Sequence, residues 1–157
     1  MRMPRTTLRT AGLAAVALAA LTLSGCFLTG GDPADTIPQA LLDSDLQVLE
    51  AEGGKTTDGF SVNVWASVVV ERDELSADDL REILRIVVNN TRISDVNAIT
   101  VIALSDELET TDGFEDNVSI DLVPAVQELG LLDQGSGRTG SIDVYWDDVI
   151  SLLEAGR

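Results

Sequence analysis

The chain has 157 residues, and its 27 acidic and 10 basic side chains give a formal charge of -17 at pH 7. One cysteine cannot form an internal disulfide, and the absence of histidine excludes Ser-His-Asp and Cys-His catalysis and imidazole metal sites. So strong a negative charge also argues against nucleic-acid binding, because phosphate groups require a basic surface.

The first 25 residues have the pattern of a secretory leader. Arg2, Arg5 and Arg9 precede an apolar stretch at residues 11–23, AGLAAVALAALTL. A basic segment followed by a short apolar run is typical of a signal peptide, whereas a transmembrane helix needs about 20 apolar residues. We therefore predict that residues 1–25 are a signal peptide.

The leader ends in Leu23-Ser24-Gly25-Cys26, which resembles the lipobox of bacterial lipoproteins. This resemblance implies a diacylglyceryl group, of the kind that incorporates palmitate, on the Cys26 thiol. It also implies cleavage before Cys26, which would then be the first residue. The protein would be anchored by its lipid on the extracytoplasmic face of the cell membrane. The alternative is an ordinary secreted protein with a cysteine near its cleavage site.

Cleavage at this position has an electrostatic consequence. It would remove three arginines and no acidic residue, and so would change the formal charge from -17 to -20. An anionic membrane surface repels such a protein. The lipid, and not adhesion of the protein surface, would therefore hold it at the membrane.

Behind the leader, we predict a tether and one domain. Residues 26–42 are interpreted as the lipidated cysteine and a flexible tether, because they contain glycines and prolines without a sustained hydrophobic period. Residues 43–157 are then a single small domain of ordinary size.

Hydrophobic periodicity predicts two strands and a helix in the first half of this domain. A first strand near residues 46–49 is followed by a glycine-rich loop at 53–59 and by strict alternation at 60–70, which together indicate an antiparallel hairpin. Ser76 is the expected N-cap of a helix, because Asp78 and Asp79 follow in its first turn and apolar residues then recur at helical spacing to residue 88.

The second half predicts another hairpin. The sequence TTDGFSVNV at 56–64 matches TTDGFEDNV at 110–118 in seven of nine positions. We interpret the match as two related hairpins, with chance similarity of turn residues as the alternative. The remaining predicted elements are a strand at 99–104, a helix at 123–129, a short strand at 142–144 and a terminal helix that starts near Trp146.

This order of elements predicts an α+β fold. We expect a two-layer sandwich in which an antiparallel sheet, made of two hairpins, is covered on one face by two or three helices.

Two groups of side chains are candidates for a site. Asp112, Glu115 and Asp116 are weak candidates for Ca²⁺ ligands, because oxygen ligands are dense there. The spacing does not match an EF-hand, so a solvated acidic loop is the favoured interpretation. Trp65 is the candidate for an interaction surface, because alternation places it on the less buried face of its strand. The favoured alternative is that the terminal helix folds over Trp65.

These observations predict a lipid-anchored cell-envelope lipoprotein with a non-enzymatic interaction or binding domain and no cofactor. Its expected partners are the membrane, through Cys26, and an envelope protein. The alternatives are a secreted or anchored protein that binds a small ligand or Ca²⁺ and, least favoured, a hydrolase. No nucleophile elbow, phosphate-binding loop or dinucleotide-binding motif occurs in the sequence.

Overall fold

The computed structural model describes residues 31–111, 114–131 and 140–156. In these ranges the chain forms five strands and four helices. In chain order they are α1 (Pro33–Leu42), β1 (Val48–Asp58), β2 (Ser61–Val70), α2 (Ala77–Asn90), β3 (Val96–Thr111), β4 (Phe114–Ser119), α3 (Val123–Glu128), β5 (Ser141–Tyr145) and α4 (Trp146–Ala155).

The strands form one mixed sheet in the order β1-β2-β3-β4, with β5 paired to β3. The pairs β1–β2 and β3–β4 are antiparallel hairpins, whereas β2 and β3 run parallel. β5 lies along the first part of β3, and β4 lies along the rest of the same edge. The predicted α+β class and the two hairpins are confirmed, but the prediction of an entirely antiparallel sheet is wrong.

The parallel pair results from the connection between the two hairpins. α2 lies between β2 and β3 in the chain, and such a helical crossover returns the chain to the end of the sheet where β2 began. β3 therefore starts beside the start of β2, with Val62 opposite Val96 and Val70 opposite Ser105. As a consequence, the turns of the two hairpins lie at opposite ends of the sheet.

The four helices form one layer over one face of the sheet. α2 contacts each of the other three helices, and α1 and α4 also contact the strands beneath them. From Val64 onward, every second residue of β2 faces this layer and has no exposed surface, namely Val64, Ala66, Val68 and Val70. The described chain thus has four helices, where two or three were expected.

The additional helix is α1, which occupies a segment predicted to be tether. Asp32 caps its N-terminus, where its carboxylate accepts a hydrogen bond from the Ala34 N–H, and Pro33 occupies the first turn, where no N–H is required. Ile37 and Leu41 have no exposed surface. The structure thus places Pro33–Leu42 in the folded domain and not in the flexible tether predicted to extend to residue 42.

The N-terminus of α2 has the predicted cap. The Ser76 hydroxyl accepts a hydrogen bond from the Asp79 N–H, and the Asp79 carboxylate accepts one from the Ser76 N–H. This reciprocal arrangement is a capping box. Leu75 and Leu80, on either side of the cap, are both buried.

The predicted loop at 53–59 is mostly strand. β1 continues to Asp58, and only Gly59 and Phe60 form the turn, with Gly59 at a φ of +60°. The nine-residue match aligns the Asp58–Ser61 pair of the first hairpin with positions 112 and 115 of the second. In the second hairpin, however, Thr111 pairs with Phe114, so the pairing begins one residue earlier than the match implies. Because a shift of one residue exchanges the two faces of a strand, the matched segments are not equivalent in the sheet.

Candidate functional site

The face of the sheet opposite the helices is the candidate site, because the helices of the described chain all pack on the other face. We call it the open face. Its residues alternate with the core residues along β1, β2, β3 and β5. They include Glu50, Glu52, Gly54, Thr56, Asp58, Ser61, Asn63, Trp65, Ser67, Val69, Ala98, Thr100, Ile102, Leu104, Ser141, Asp143 and Tyr145.

Trp65 lies near the centre of the open face, against Gly54 of the neighbouring strand. The two residues are directly opposite each other in the β1–β2 pair. A Cβ atom placed on Gly54 would lie 3.1 Å from the indole Nε1 and 3.2 Å from Cε2 and Cζ2. The indole therefore covers Gly54, and a larger residue at this position would displace it. A glycine inside a strand commonly marks such a close approach.

Trp65 remains partly exposed in this position, unlike its neighbours in β2, Val64 and Ala66, which have no exposed surface. The prediction that Trp65 lies on the less buried face is therefore confirmed. The favoured alternative, in which the terminal helix covers it, is wrong. That helix, α4, packs on β3, β5 and α2 on the other side of the sheet.

A row of paired residues crosses the open face at Trp65. Thr100 of β3 pairs with Trp65 on one side and with Asp143 of β5 on the other. The Thr100 hydroxyl donates a hydrogen bond to Asp143 Oδ1. Adjacent strands are about 4.8 Å apart, so the Trp65 and Asp143 backbones are about 10 Å from each other. The Thr100 hydroxyl thus contacts the Asp143 carboxylate on the open face, two strands from Trp65.

Charge is distributed unequally between the two faces. Of the open-face residues named above, Glu50, Glu52, Asp58 and Asp143 are acidic. Three arginines of the described chain instead form ion pairs on the helical side, Arg72 with Asp79, Arg81 with Asp78 and Arg85 with Glu82. The acidic side chains named above thus lie on the open face, and these three ion pairs lie on the helical side.

Arg72 joins the end of β2 to the start of α2. Its Nη2 atom lies 3.2 Å from Asp79 Oδ1 and donates a hydrogen bond of 3.2 Å to the Leu46 carbonyl. Burial of the Asp79 carboxyl raises its pKa, but hydrogen bonds from Ser76 and the positive charge of Arg72 outweigh burial, so that the pKa of Asp79 is lowered overall. This cluster stabilises the connection between sheet and helix, away from the open face.

The structure gives little geometry for the predicted Ca²⁺ ligands. Asp112 lies outside the described residues, as does the side chain of Glu115, and Asp116 is exposed opposite Glu109. Within the described ranges, no group of three or more acidic or thiol side chains is placed to hold a metal ion. The calcium hypothesis stays a prediction.

The N-terminal predictions also fall outside the described part of the chain. Cys26 and the leader belong to residues 1–30. Of the helices that the structure does describe, none is long and apolar enough to cross a membrane.

Sequence reasoning missed most members of the open face, because strand pairing brings them together. Gly54 and Trp65 are 11 positions apart in the sequence, and Asp143 is far from both. One feature of the sequence could have pointed to Gly54. The Gly53-Gly54 pair is compatible with a strand that another side chain approaches closely, as well as with a loop.

Comparisons with protein-family models, with curated proteins and with solved structures found no match for this chain.

Proposed function

We propose that this protein is a lipid-anchored lipoprotein of the cell envelope whose domain is a non-enzymatic interaction module that binds a partner through the open face. The observation that carries the binding role is the position of Trp65, partly exposed at the centre of a sheet face that the described helices leave uncovered. The sequence around Cys26 carries the anchoring role.

The composition of the open face supports a binding role. Tryptophan and tyrosine are enriched at the centres of protein interfaces, where they contribute most of the binding energy. Here Trp65 shares the open face with three partly exposed apolar residues, Val69, Ile102 and Leu104, and Tyr145 at one edge is 49% exposed. An aromatic centre with a polar rim is the usual arrangement of such a surface.

The shape of the open face favours a macromolecule over a small ligand. Small-molecule sites are concave and mostly apolar. One concavity of the described chain, the groove of about 400 Å³ between Asp45 and Glu82, is instead lined largely by acids. A sheet face of four strands presents a wide surface that suits a protein partner.

Anchoring at Cys26 would hold this surface near the membrane. Only residues 27–32 separate the cysteine from the start of α1 at Pro33. At about 3.5 Å per residue, even a fully extended segment would allow about 25 Å between Cys26 and Pro33. Partners of the domain would therefore be found at or close to the membrane surface.

The anchor is tested by intact-mass spectrometry of the protein purified from a bacterium that expresses the full chain. We expect a mass that corresponds to cleavage before Cys26 and to addition of lipid, with incorporation of labelled palmitate. A Cys26→Ala variant should take up no palmitate and leave the membrane fraction. An unmodified thiol on Cys26, or a leader that is still attached, would contradict the anchoring role.

The binding role is tested by crosslinking and co-purification from the membranes of the native host. Trp65→Ala should lose the partner while thermal unfolding stays close to that of the unchanged protein. Phe60→Ala is the matched control, because Phe60 is a fully exposed aromatic residue at the β1–β2 turn and not on the open face. Retention of the partner by Trp65→Ala would refute the role of the open face.

A further inference from the structure

The turn between β1 and β2 carries an exposed aromatic side chain that does not belong to the open face. Phe60 is fully exposed in the described structure, next to Gly59, whose φ of +60° forms the turn. Phenylalanine is among the residues most often found buried, so a free phenylalanine at a turn needs a physical reason. We infer that Phe60 inserts into the surface of the lipid bilayer, as a second contact between the domain and the membrane. This inference rests on the anchoring role proposed above.

The N-terminal segment enters the domain at the same end as this turn. Thr36, in the first turn of α1, donates a hydrogen bond of 3.1 Å from Oγ1 to the carbonyl of Asn90, the last residue of α2. From there the chain runs through residues 91–95 to Val96, which pairs with Val62 near the start of β2. The start of α1, the end of α2 and the β1–β2 turn therefore lie at one end of the domain.

The turn also extends beyond the start of α1. A Cβ atom placed on Gly53 of β1 would lie 3.0 Å from Ile37 Cγ2, so these two residues are level with each other. From this level β1 continues to Asp58 over about 16 Å, whereas α1 reaches back to Pro33 over about 6 Å. Phe60 is thus about 10 Å farther out than the point at which the chain enters α1.

A lipid on Cys26 would hold this end of the domain at the bilayer. Only residues 27–32 separate Cys26 from α1, and they span at most about 25 Å. Such a short connection gives a weak second contact a high effective concentration of its target. The β3–β4 turn lies at the opposite end of the sheet, away from the anchor.

Burial of apolar surface, and not charge, would drive this contact. Transfer of a phenylalanine side chain out of water favours the buried state by about tenfold or more. Around the turn, exposed Lys55 and Arg92 accompany exposed Asp58 and Asp95, so these four residues carry no net charge. The chain as a whole is acidic, and an anionic lipid surface repels it. The expected target is therefore a neutral bilayer surface.

The inference is tested with a fluorescent reporter at the turn. The full chain is expressed in a bacterium, and the acylated protein is transferred from neutral detergent to vesicles of brominated phosphatidylcholine, which quenches tryptophan on contact. The test variant is Phe60→Trp. The matched control is Leu108→Trp, because Leu108 is 60% exposed on β3 near the β3–β4 turn. Intact mass verifies the lipid, and thermal unfolding verifies the fold of each variant.

We expect Phe60→Trp to lose about a third of its fluorescence relative to vesicles without bromine, because it adds one tryptophan, at membrane depth, to the two of the chain. Leu108→Trp should lose no more than the unchanged protein. Equal losses by the two variants, or no loss by Phe60→Trp, would overturn the inference while the anchor of the acylated protein stands. Protein that carries no lipid would refute the anchoring role, and the inference with it.

A second measurement keeps the native side chain, since tryptophan itself favours the membrane interface. Acylated protein on vesicles that contain a photoreactive phosphatidylcholine is irradiated and digested with trypsin. Cleavage after Lys55 and Arg72 isolates the turn in the peptide 56–72, and the β3–β4 hairpin falls in the peptide 93–138.

The unchanged protein should form lipid adducts on peptide 56–72 and not on peptide 93–138. Phe60→Ala should lower the adduct yield about tenfold, because the apolar contact is lost. The lipid on Cys26 still holds this variant at the membrane, so the open face stays near its partners. Equal adduct yields in Phe60→Ala and the unchanged protein would overturn the inference.

Discussion

Replacing Gly53 by alanine tests whether α1 is part of the folded domain. Gly53 lies in β1 on the side of the sheet that faces α1. A Cβ atom at this position would lie 3.0 Å from Ile37 Cγ2, 3.1 Å from Ile37 Cβ and 3.3 Å from Pro38 Cδ. These atoms belong to a helix side chain with no exposed surface and to a proline ring, neither of which moves freely. The added methyl group must therefore push α1 away from β1.

The expected cost follows from two opposing effects. Overpacking a core by a methyl group destabilises by about 1–3 kcal/mol. Alanine also restricts the unfolded chain, which offsets about 0.4–1 kcal/mol at a position such as Gly53, where φ is not positive. From the midpoints of these two ranges, we expect Gly53→Ala to lower the free energy of unfolding by about 1.3 kcal/mol, measured by urea denaturation with far-ultraviolet circular dichroism.

Gly54→Ala is the matched control, since it adds the same methyl group to the other face of the same strand. Its closest neighbour is the Trp65 indole, at 3.1 Å, a side chain on the open face that has room to move. This variant should lose about 0.5 kcal/mol or less and should change the tryptophan fluorescence instead. If Gly53→Ala were as stable as the unchanged protein or more so, α1 would not pack against β1 as the structure shows.

Three further predictions concern the helices. Ile37→Ala should cost about 2–5 kcal/mol, because Ile37 is fully buried in α1, whereas Leu42→Ala in the same helix should cost less than about 0.5 kcal/mol, because Leu42 is 44% exposed; equal costs would contradict the docking of α1. Ser76→Ala should cost about 1 kcal/mol by removing the N-cap of α2, and no loss in chemical denaturation would refute the capping role. The lowered pKa of Asp79 stabilises the fold above the unfolded-state pKa, near 4, and this contribution is lost as the pH falls through the folded-state pKa. Urea denaturation between pH 6 and 2 should therefore show a smaller decline with acid in Asp79→Asn, and an unchanged decline would count against the carboxylate.

The elements predicted correctly are those that short segments of sequence specify. α2 is the best example, because the cap at Ser76, the acids of its first turn and its apolar stripe all lie within 15 residues. The alternation along β2 likewise identifies a strand with one buried face, since side chains point to opposite sides of a strand. The same alternation places Trp65 on the less buried face.

The elements predicted wrongly depend on contacts between distant residues. Gly53 and Gly54 have the composition of a turn, yet they lie in β1 because Ile37 approaches one side of the strand and Trp65 the other. The glycines and prolines of residues 26–42 likewise indicated a tether, but the burial of Ile37 stabilises a helix in this segment. Local composition cannot report such contacts, because the partners come from other elements.

The sequence by itself determines the net charge and the N-terminal motif of this protein. Local patterns of residues also determine the positions of its strongest helix and strand. Packing, in contrast, decides three features: the parallel pairing of β2 with β3, the docking of α1, and the placement of Trp65, Glu52 and Asp143 on one face. Strand register decides which distant side chains share a face, and register is set by burial of the opposite face against the helices. The acidic surface around Trp65 is therefore a property of the fold, even though each of its residues is visible in the sequence.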